Sequence, residues 1–248
     1  MSFISIRHLW KEYGSRVVLE NISLDVEQGE FVSIVGASGC GKTTFFKMLL
    51  GEEKSTRGDM LLNDKPWPQE PDADRGVVFQ RYSVFPHLTA IDNVILGLEF
   101  RDAKFTTRLF GAKKRAARER AQAMLEAVGL GASGNRYPHE LSGGMQQRLA
   151  LAQSLVREPA ILLLDEPFGA LDPGIRTDMH TLLLNLWTEK KFTVFMVTHD
   201  IKEGFSLGTR LLVFDRVRID PHEPDAYGAK ISYDLPLKTN RPLKKHGH

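Results

Sequence analysis

The residues from Gly36 to Thr44, GASGCGKTT, hold the most specific chemistry in the chain. They fit G-x-x-x-x-G-K-[ST], with an apolar run, FVSIVG, leading in and a helical pattern from Lys42 to Leu50 following. Strand, glycine loop, helix is the context that separates a phosphate-binding loop from a chance glycine-rich turn. A polyphosphate needs many donors and no side chains in the way. Gly36, Gly39 and Gly41 let main-chain N–H groups turn inward, with Ala37, Ser38 and Cys40 completing the loop. The helix start adds the positive end of its dipole. Lys42 brings a point charge to the β- and γ-phosphates, and the Thr43 hydroxyl, beside Thr44, is suited to Mg²⁺.

A metal-bound triphosphate also needs a carboxylate at the end of a neighbouring strand. LLLDEP, Leu162 to Pro167, supplies one. Asp165 is expected to hold Mg²⁺ through water. Glu166, one residue past the strand, is expected to act as general base on the attacking water. An Asp-Glu pair standing alone serves equally well as a helix cap; the phosphate loop decides between the two. Cys40, the single cysteine, sits in the loop beside a helix N-terminus and an ammonium. A small side chain that fits there explains its presence, and the sequence predicts a reactive thiol shielded by bound nucleotide as a by-product.

The elements around these residues read as α/β. Phe3 to Arg7 and Ile22 to Val26 alternate like strands, and Phe31 to Gly36 reads as a buried parallel strand. AILLLD from Ala160, Thr193 to Val197 and Arg210 to Phe214 continue that core. Asp172 and Pro173 suit the N-cap and first position of a helix running to about Lys190. Between the core segments, Ala90 to Leu98 and Ala112 to Val128 have helical spacing, with Leu125, Val128 and Leu130 as an apolar stripe. The expected layout is a β and α/β core over 1–83 and 157–220, an inserted helical subdomain over 84–156, and a tail over 221–248. In the tail, alternation at Ile231, Tyr233 and Leu235 predicts one edge strand, and 241–248 is expected to fray.

Composition narrows the function classes. The net charge of +2 gives no global field toward nucleic acid or anionic lipid. One cysteine excludes an internal disulfide framework and suits a reducing compartment. No apolar run reaches the roughly 18 residues that span a bilayer. The N-terminus, MSFISIRHLWKEYG, meets charge too early for a signal peptide. Work at a membrane would therefore need another subunit as anchor.

LSGGMQQR, Leu141 to Arg148, resembles the signature motif of ABC ATPases. The resemblance runs from about Phe3 to Phe214 and implies a P-loop NTPase core with an antiparallel β subdomain. It implies that Ser142, Gly143 and Gly144, at a helix N-terminus, face the γ-phosphate held by a second copy of the chain. Gln80 in VVFQ is similar to the Q-loop glutamine, which senses Mg²⁺ and water. Asp172 in GALD is similar to the D-loop aspartate, and His199 in VTHD to the switch histidine that contacts the γ-phosphate. Tyr13 resembles the aromatic that stacks on adenine, with Trp10 close by. The implied cofactors are ATP and Mg²⁺. The implied partners are a second copy in the ATP-bound homodimer, two transmembrane permease subunits and, indirectly, an extracytoplasmic solute-binding protein; nucleic acid is not among them. The implied location is peripheral, on the cytoplasmic face of the inner membrane.

DEPFGALD with Arg176, Met179 and LLLNLW (Leu182 to Trp187) is similar to the nitrate/sulfonate/taurine importer ATPases. The basic stretch Lys104 to Arg115 and the tail AYGAKISYDLPLK depart from that branch. The tail resembles importer ATPases encoded beside urea carboxylase, which handle small nitrogenous solutes. The implied function is therefore an importer ATPase for a small solute. A soluble ABC ATPase of DNA repair, chromosome organisation or translation is the alternative; those usually carry coiled coils, zinc modules or tandem cassettes. A non-catalytic binding module conflicts with Glu166. Gln80 to His87, with Tyr82 and Phe85, is expected to seat a permease helix, unless Phe85 packs inside its own subdomain.

Overall fold

The structure, a computed structural model, describes residues 2–70, 74–80, 84–99, 111–218, 220–223 and 225–237. Expectations for Tyr82, for 101–110 and for 241–248 lie outside these residues.

Strands β1 (Ile4–Tyr13) and β2 (Arg16–Val26) pair antiparallel, from Ile4 opposite Val26 to Tyr13 opposite Arg16. Both are longer than their alternation suggests. Register shifts fall between Ile6 and Leu9 and again before Glu12, and His8 and Asn21 take positive φ of 48° and 53°. Each irregularity swaps which residues face inward, so the period-2 pattern breaks while the pairing continues. Strand β3 (Phe31–Gly36) and helix α1 (Lys42–Leu50) have the predicted bounds. Gly51 closes α1 in the left-handed region, its N–H reaching the carbonyls of Lys47 and Met48.

Two short strands that the sequence does not announce, β4 (Arg57–Leu62) and β5 (Lys65–Pro66), complete a sheet ordered β2-β1-β4-β5. Strand β6 (Arg75–Val78) joins the second sheet. Helices α2 (Ala90–Glu99), α3 (Ala112–Ala127) and α4 (Gly143–Leu155) follow, with α2 packed on both of the others. Then come β7 (Ile161–Asp165), α5 (Pro173–Lys190), β8 (Thr193–Val197), α6 (Ile201–Leu207), β9 (Arg210–Asp215) and β10 (Lys230–Pro236). The second sheet is ordered β10-β9-β3-β8-β7-β6 and is parallel except for β10, which lies antiparallel on β9.

The apolar strands are buried on both faces, as a parallel sheet requires. Leu162, Leu164, Val194 and Met196 point to one side, where they join α2–α5 in one cluster. Ile161, Leu163, Phe195 and Val197 point to the other, where they join α1 and the antiparallel sheet. Leu125, Val128 and Leu130 are all buried in the helical cluster. Among the described residues no helix is long and apolar enough to cross a membrane.

Leu125 is fully buried in that cluster, so Leu125→Ala should cost about 2–5 kcal/mol of stability, read by urea denaturation, through lost transfer energy and the cavity left behind.

Candidate functional site

Strand β3 ends between β8 and β9, and the phosphate loop leaves its carboxyl end. In open α/β sheets this is the crevice where ligands bind. The loop is pinned from behind by β2. Gly41 has φ of 83°, and a Cβ there would stand 2.7 Å from Leu19 Cδ2 and 3.1 Å from the Val18 carbonyl oxygen. Only glycine satisfies both the conformation and the contact. Lys42 is buried, and its Nζ donates to the carbonyls of Gly36 at 2.7 Å and Ala37 at 2.8 Å. The ammonium is thereby fixed against the inner edge of the loop.

A cavity of about 280 Å³ opens on this loop. Gly39, Gly41, Lys42, Thr43 and Thr44 form its floor, and Tyr13, Arg16 and Val18 its side. Tyr13 is half-exposed at the end of β1, with Lys11 Nζ 4.7 Å from its ring centroid. Desolvation and the nearby Glu53 carboxylate raise its hydroxyl above the ordinary value. Trp10, the other candidate aromatic, instead holds the Arg57 guanidinium 4.8 Å from its ring. Sequence reasoning missed Arg16 and Val18. Their only signal is their place just after the Gly14-Ser15 turn that follows Tyr13.

Asp165 ends β7, partly buried. Burial raises its carboxyl above the usual range, the Glu166 charge adds to this, and Lys42 opposes both. A raised folded-state value favours the protonated form, so this group's contribution to stability is present below its unfolded value and lost as pH rises through the folded one. The ionised form of this carboxyl is thus short of positive charge. Carboxylate and hydroxyl oxygens, the donors that Asp165 and Thr43 carry, are the kind that suit a hard cation such as Mg²⁺.

Glu166 has φ of 45°, in the left-handed region that a non-glycine residue enters at a cost of about 1–3 kcal/mol. Its N–H donates to the Val197 carbonyl at 2.9 Å, tying the turn after β7 to the end of β8. Its carboxylate lies 3.4 Å from His199 Nδ1. A methyl placed on Gly169 would stand 3.7 Å from Gln80 Nε2, from the Glu166 carbonyl and from His199 Cε1. Gln80, Glu166 and His199, 119 residues apart at the extremes, therefore surround one point.

The turn carrying His199 is fixed on both flanks. Thr198 Oγ1 donates to Glu203 Oε2 at 2.5 Å, and Glu203 Oε1 is 2.9 Å from His180 Nε2 on α5. Asp200 caps α6, accepting from the N–H groups of Lys202 and Glu203. The His199 side chain itself is exposed. No sequence pattern marks Glu203 or His180, since they meet across 23 residues.

Ser142, Gly143 and Gly144 stand apart from this cavity. Ser142 is the N-cap of α4, its Oγ accepting from the Met145 N–H at 3.3 Å. Ser142 and Gly143 are exposed; Gly144 is buried against Ile175. Asp172 is also exposed and is the N-cap of α5, without a side-chain capping bond. Cys40 lies beside the ammonium, as its place in the loop implies, its Sγ 3.7 Å from Lys42 Nζ. It is 5% exposed and belongs to the apolar cluster under the loop, where its Sγ sits beneath Gly36. The loop closes over it through the Cys40 N–H to Ala37 carbonyl bond.

Two outcomes follow. Asp165→Asn should hold or raise the melting temperature at pH 7 by roughly 1–3 °C without nucleotide, and should abolish the extra stabilisation by Mg²⁺ with ATP. Maleimide labelling of Cys40 should be slow with and without MgATP, and fast only in urea.

A family model described as ABC transporter matches residues 19–169. A spermidine/putrescine import ATP-binding protein, PotA, of Nitrosospira multiformis is 40% identical over 222 residues, 89% of this chain and 59% of that protein. An aliphatic sulfonates import ATP-binding protein, SsuB, of Pseudomonas fluorescens is 37% identical over 247 residues, 99% of this chain and 81% of that one. The chain thus spans about three fifths of the PotA relative and most of the SsuB relative. The solved dimeric structure of the ATP-binding cassette MJ0796, in a post-hydrolysis state with ADP and Pi, has 30% identity and a TM-score of 0.73, covering 95% of this chain and 99% of that one. The family match covers the phosphate loop and the strand-end carboxylates Asp165 and Glu166, and this chain belongs to the ABC transporter family.

Proposed function

We infer that the chain binds MgATP between two copies of itself, hydrolyses it, and powers uptake of a small solute through separate permease subunits. The observation that carries this reading is the Glu166 carboxylate 3.4 Å from His199, one residue past Asp165 and at the sheet end that holds the phosphate loop. Lys42 and the loop N–H groups of Gly36 to Thr44 would hold the phosphates, and Tyr13 would stack on the base. Thr43, Asp165 and Gln80 would hold Mg²⁺, which when bound neutralises charge on the β- and γ-phosphates. Glu166 would take the proton from the attacking water. His199 would donate to the γ-phosphate as its charge spreads.

The exposed N-terminus of α4 supports the dimer. Ser142 and Gly143 present free N–H groups and a positive dipole end to solvent, away from their own chain's cavity. A second copy would bring that end to the γ-phosphate, with Asp172 at the seam. We take 84–156 as the helical subdomain carrying this motif. Phe85 supports a permease seat there. It lines a cleft with Phe79, Gly97 and Gln153, between β6 and the helices α2 and α4, and is only partly buried. The location would then be peripheral, on the cytoplasmic face of the membrane. For the solute, the relatives named above import sulfonates in one case and polyamines in another, so the cassette alone does not select it. A nitrate/sulfonate/taurine-type or small nitrogenous compound follows from the finer resemblance.

Phosphate release and light scattering test the reading together. Glu166→Gln should bind ATP, lose turnover by about 10²-fold or more, and accumulate as a dimer with MgATP; a variant that stays monomeric contradicts the two-chain site. His199→Ala should lower kcat by about 10–10³-fold with KM changed less than about threefold, because its contact strengthens in the transition state. Equal loss of nucleotide affinity would make His199 a folding residue.

A further inference from the structure

The segment after β9 does not run free. At residues 225–230 it lies along β2, the outer strand of the antiparallel sheet. The Val17 N–H donates to the Asp225 carbonyl, the Ala229 N–H to the Val18 carbonyl, and the Glu20 N–H to the Ala229 carbonyl, each at 2.9 Å. Leu19 and Ala229 form a parallel bridge, and Ala229 is fully buried. The chain then continues into β10, on the edge of the other sheet. It is therefore a strap that joins the two sheets at the back of the phosphate loop.

One buried carboxylate fastens the strap. Glu20 is 5% exposed. Its Oε1 accepts from Lys230 Nζ at 2.9 Å and from Arg218, and its Oε2 from the Gly228 N–H at 3.2 Å. Burial alone would raise the carboxyl; Lys230, the Gly228 N–H and Arg218 outweigh it and hold the group below the ordinary carboxylate range. Close approach does the rest. A Cβ on Gly228 would stand 2.8 Å from Val17 Cγ1, 2.9 Å from the Leu19 carbonyl carbon and 3.0 Å from the Glu20 nitrogen. The strap touches β2 at this distance only because residue 228 has no side chain.

The stretch of β2 held in this way is the one that meets the nucleotide cavity. Arg16 and Val18 line the cavity, and the Val18 carbonyl and Leu19 side chain press on Gly41 of the loop. Asp225 of the strap also lies 3.5 Å from Arg16 Nε. We propose that Glu20 is a positioning residue for nucleotide binding, clamping the 225–230 strap onto β2 so that Val18 and Arg16 stand at the correct depth in the cavity wall. This rests on reading the loop cavity as the nucleotide site. Neither Glu20 nor Gly228 touches the cavity, so their effect must pass through β2. It should fall on ground-state affinity rather than on the chemistry at Glu166 and His199.

The test is steady-state hydrolysis by the full chain, with the dissociation constant of a fluorescent ATP analogue measured beside it. Glu20→Gln keeps the shape and removes the charge. Gly228→Ala keeps every charge and lifts the strap off β2. Both should raise KM and the analogue's dissociation constant by about five- to tenfold with kcat within about twofold, the pattern of lost uniform binding. A lowered melting temperature with KM unchanged in both variants would make the clamp merely structural and overturn the proposal. A fall in kcat at constant KM would overturn it as well. If Glu20→Gln fails to fold, Gly228→Ala carries the test. Absence of ATP binding in the wild-type chain would remove the underlying reading and the proposal with it, and is told apart because no variant is needed to see it.

Discussion

A loop that turns its main-chain N–H groups toward a polyanion must be stripped of side chains where it turns, yet held rigidly enough that the donors do not collapse onto one another. Everything else in the site depends on that constraint. The loop from Gly36 to Thr44 meets it with glycine at the turns, with Lys42 bonded to the Gly36 and Ala37 carbonyls, and with β2 pressed against Gly41. The sheets supply the rigidity. Parallel strands buried on both faces leave the loop no freedom at its root, and α1 fixes the exit. Cys40 contributes on the inside, filling space under the loop.

Once β3 is fixed, its neighbours bring the remaining groups by position. β8 and β7 lie next in order, so the residues that follow their ends, Glu166 and His199, arrive side by side. The strain at Glu166, φ 45°, is supported by the Val197 carbonyl on the adjacent strand. Thr198, Glu203 and His180 hold the turn beneath His199 while its imidazole stays exposed. The mount of His199 is thus fixed while its ring remains open to solvent. Among the described residues the α4 terminus at Ser142 belongs to no such cluster in its own chain, which is what a site completed by a second copy would leave.

Elements with one dominant local signal were legible in the sequence. β3, β7, β8 and β9 are apolar runs between turn residues, α1 runs between Gly41 and Gly51, and α5 starts at Asp172-Pro173. β4 was not legible, because RGDMLL mixes glycine and aspartate into a strand that exists through pairing with β1. β6 has only four residues, and α6 has seven with Gly204 inside. The site divides the same way. Lys42, Asp165 and Glu166 follow from motif and spacing, whereas Arg16, Val18, Glu203 and Glu20 act through contacts between distant segments and leave no local pattern. For Cys40 the sequence placed the thiol beside the Lys42 ammonium but not its burial, since position in a loop says nothing about which side of the loop a side chain takes.

The central claim is that each nucleotide lies between the phosphate loop of one chain and the α4 terminus of another. Ser38 and Ser142 are both exposed and differ from cysteine by one atom. The direct measurement is oxidative cross-linking of Ser38→Cys mixed with Ser142→Cys, each made in a Cys40→Ser, Glu166→Gln chain. A covalent dimer that forms with MgATP, and not without it or with either cysteine chain alone, is the predicted result. No covalent dimer in the MgATP mixture, or the same yield with and without nucleotide, would contradict the account.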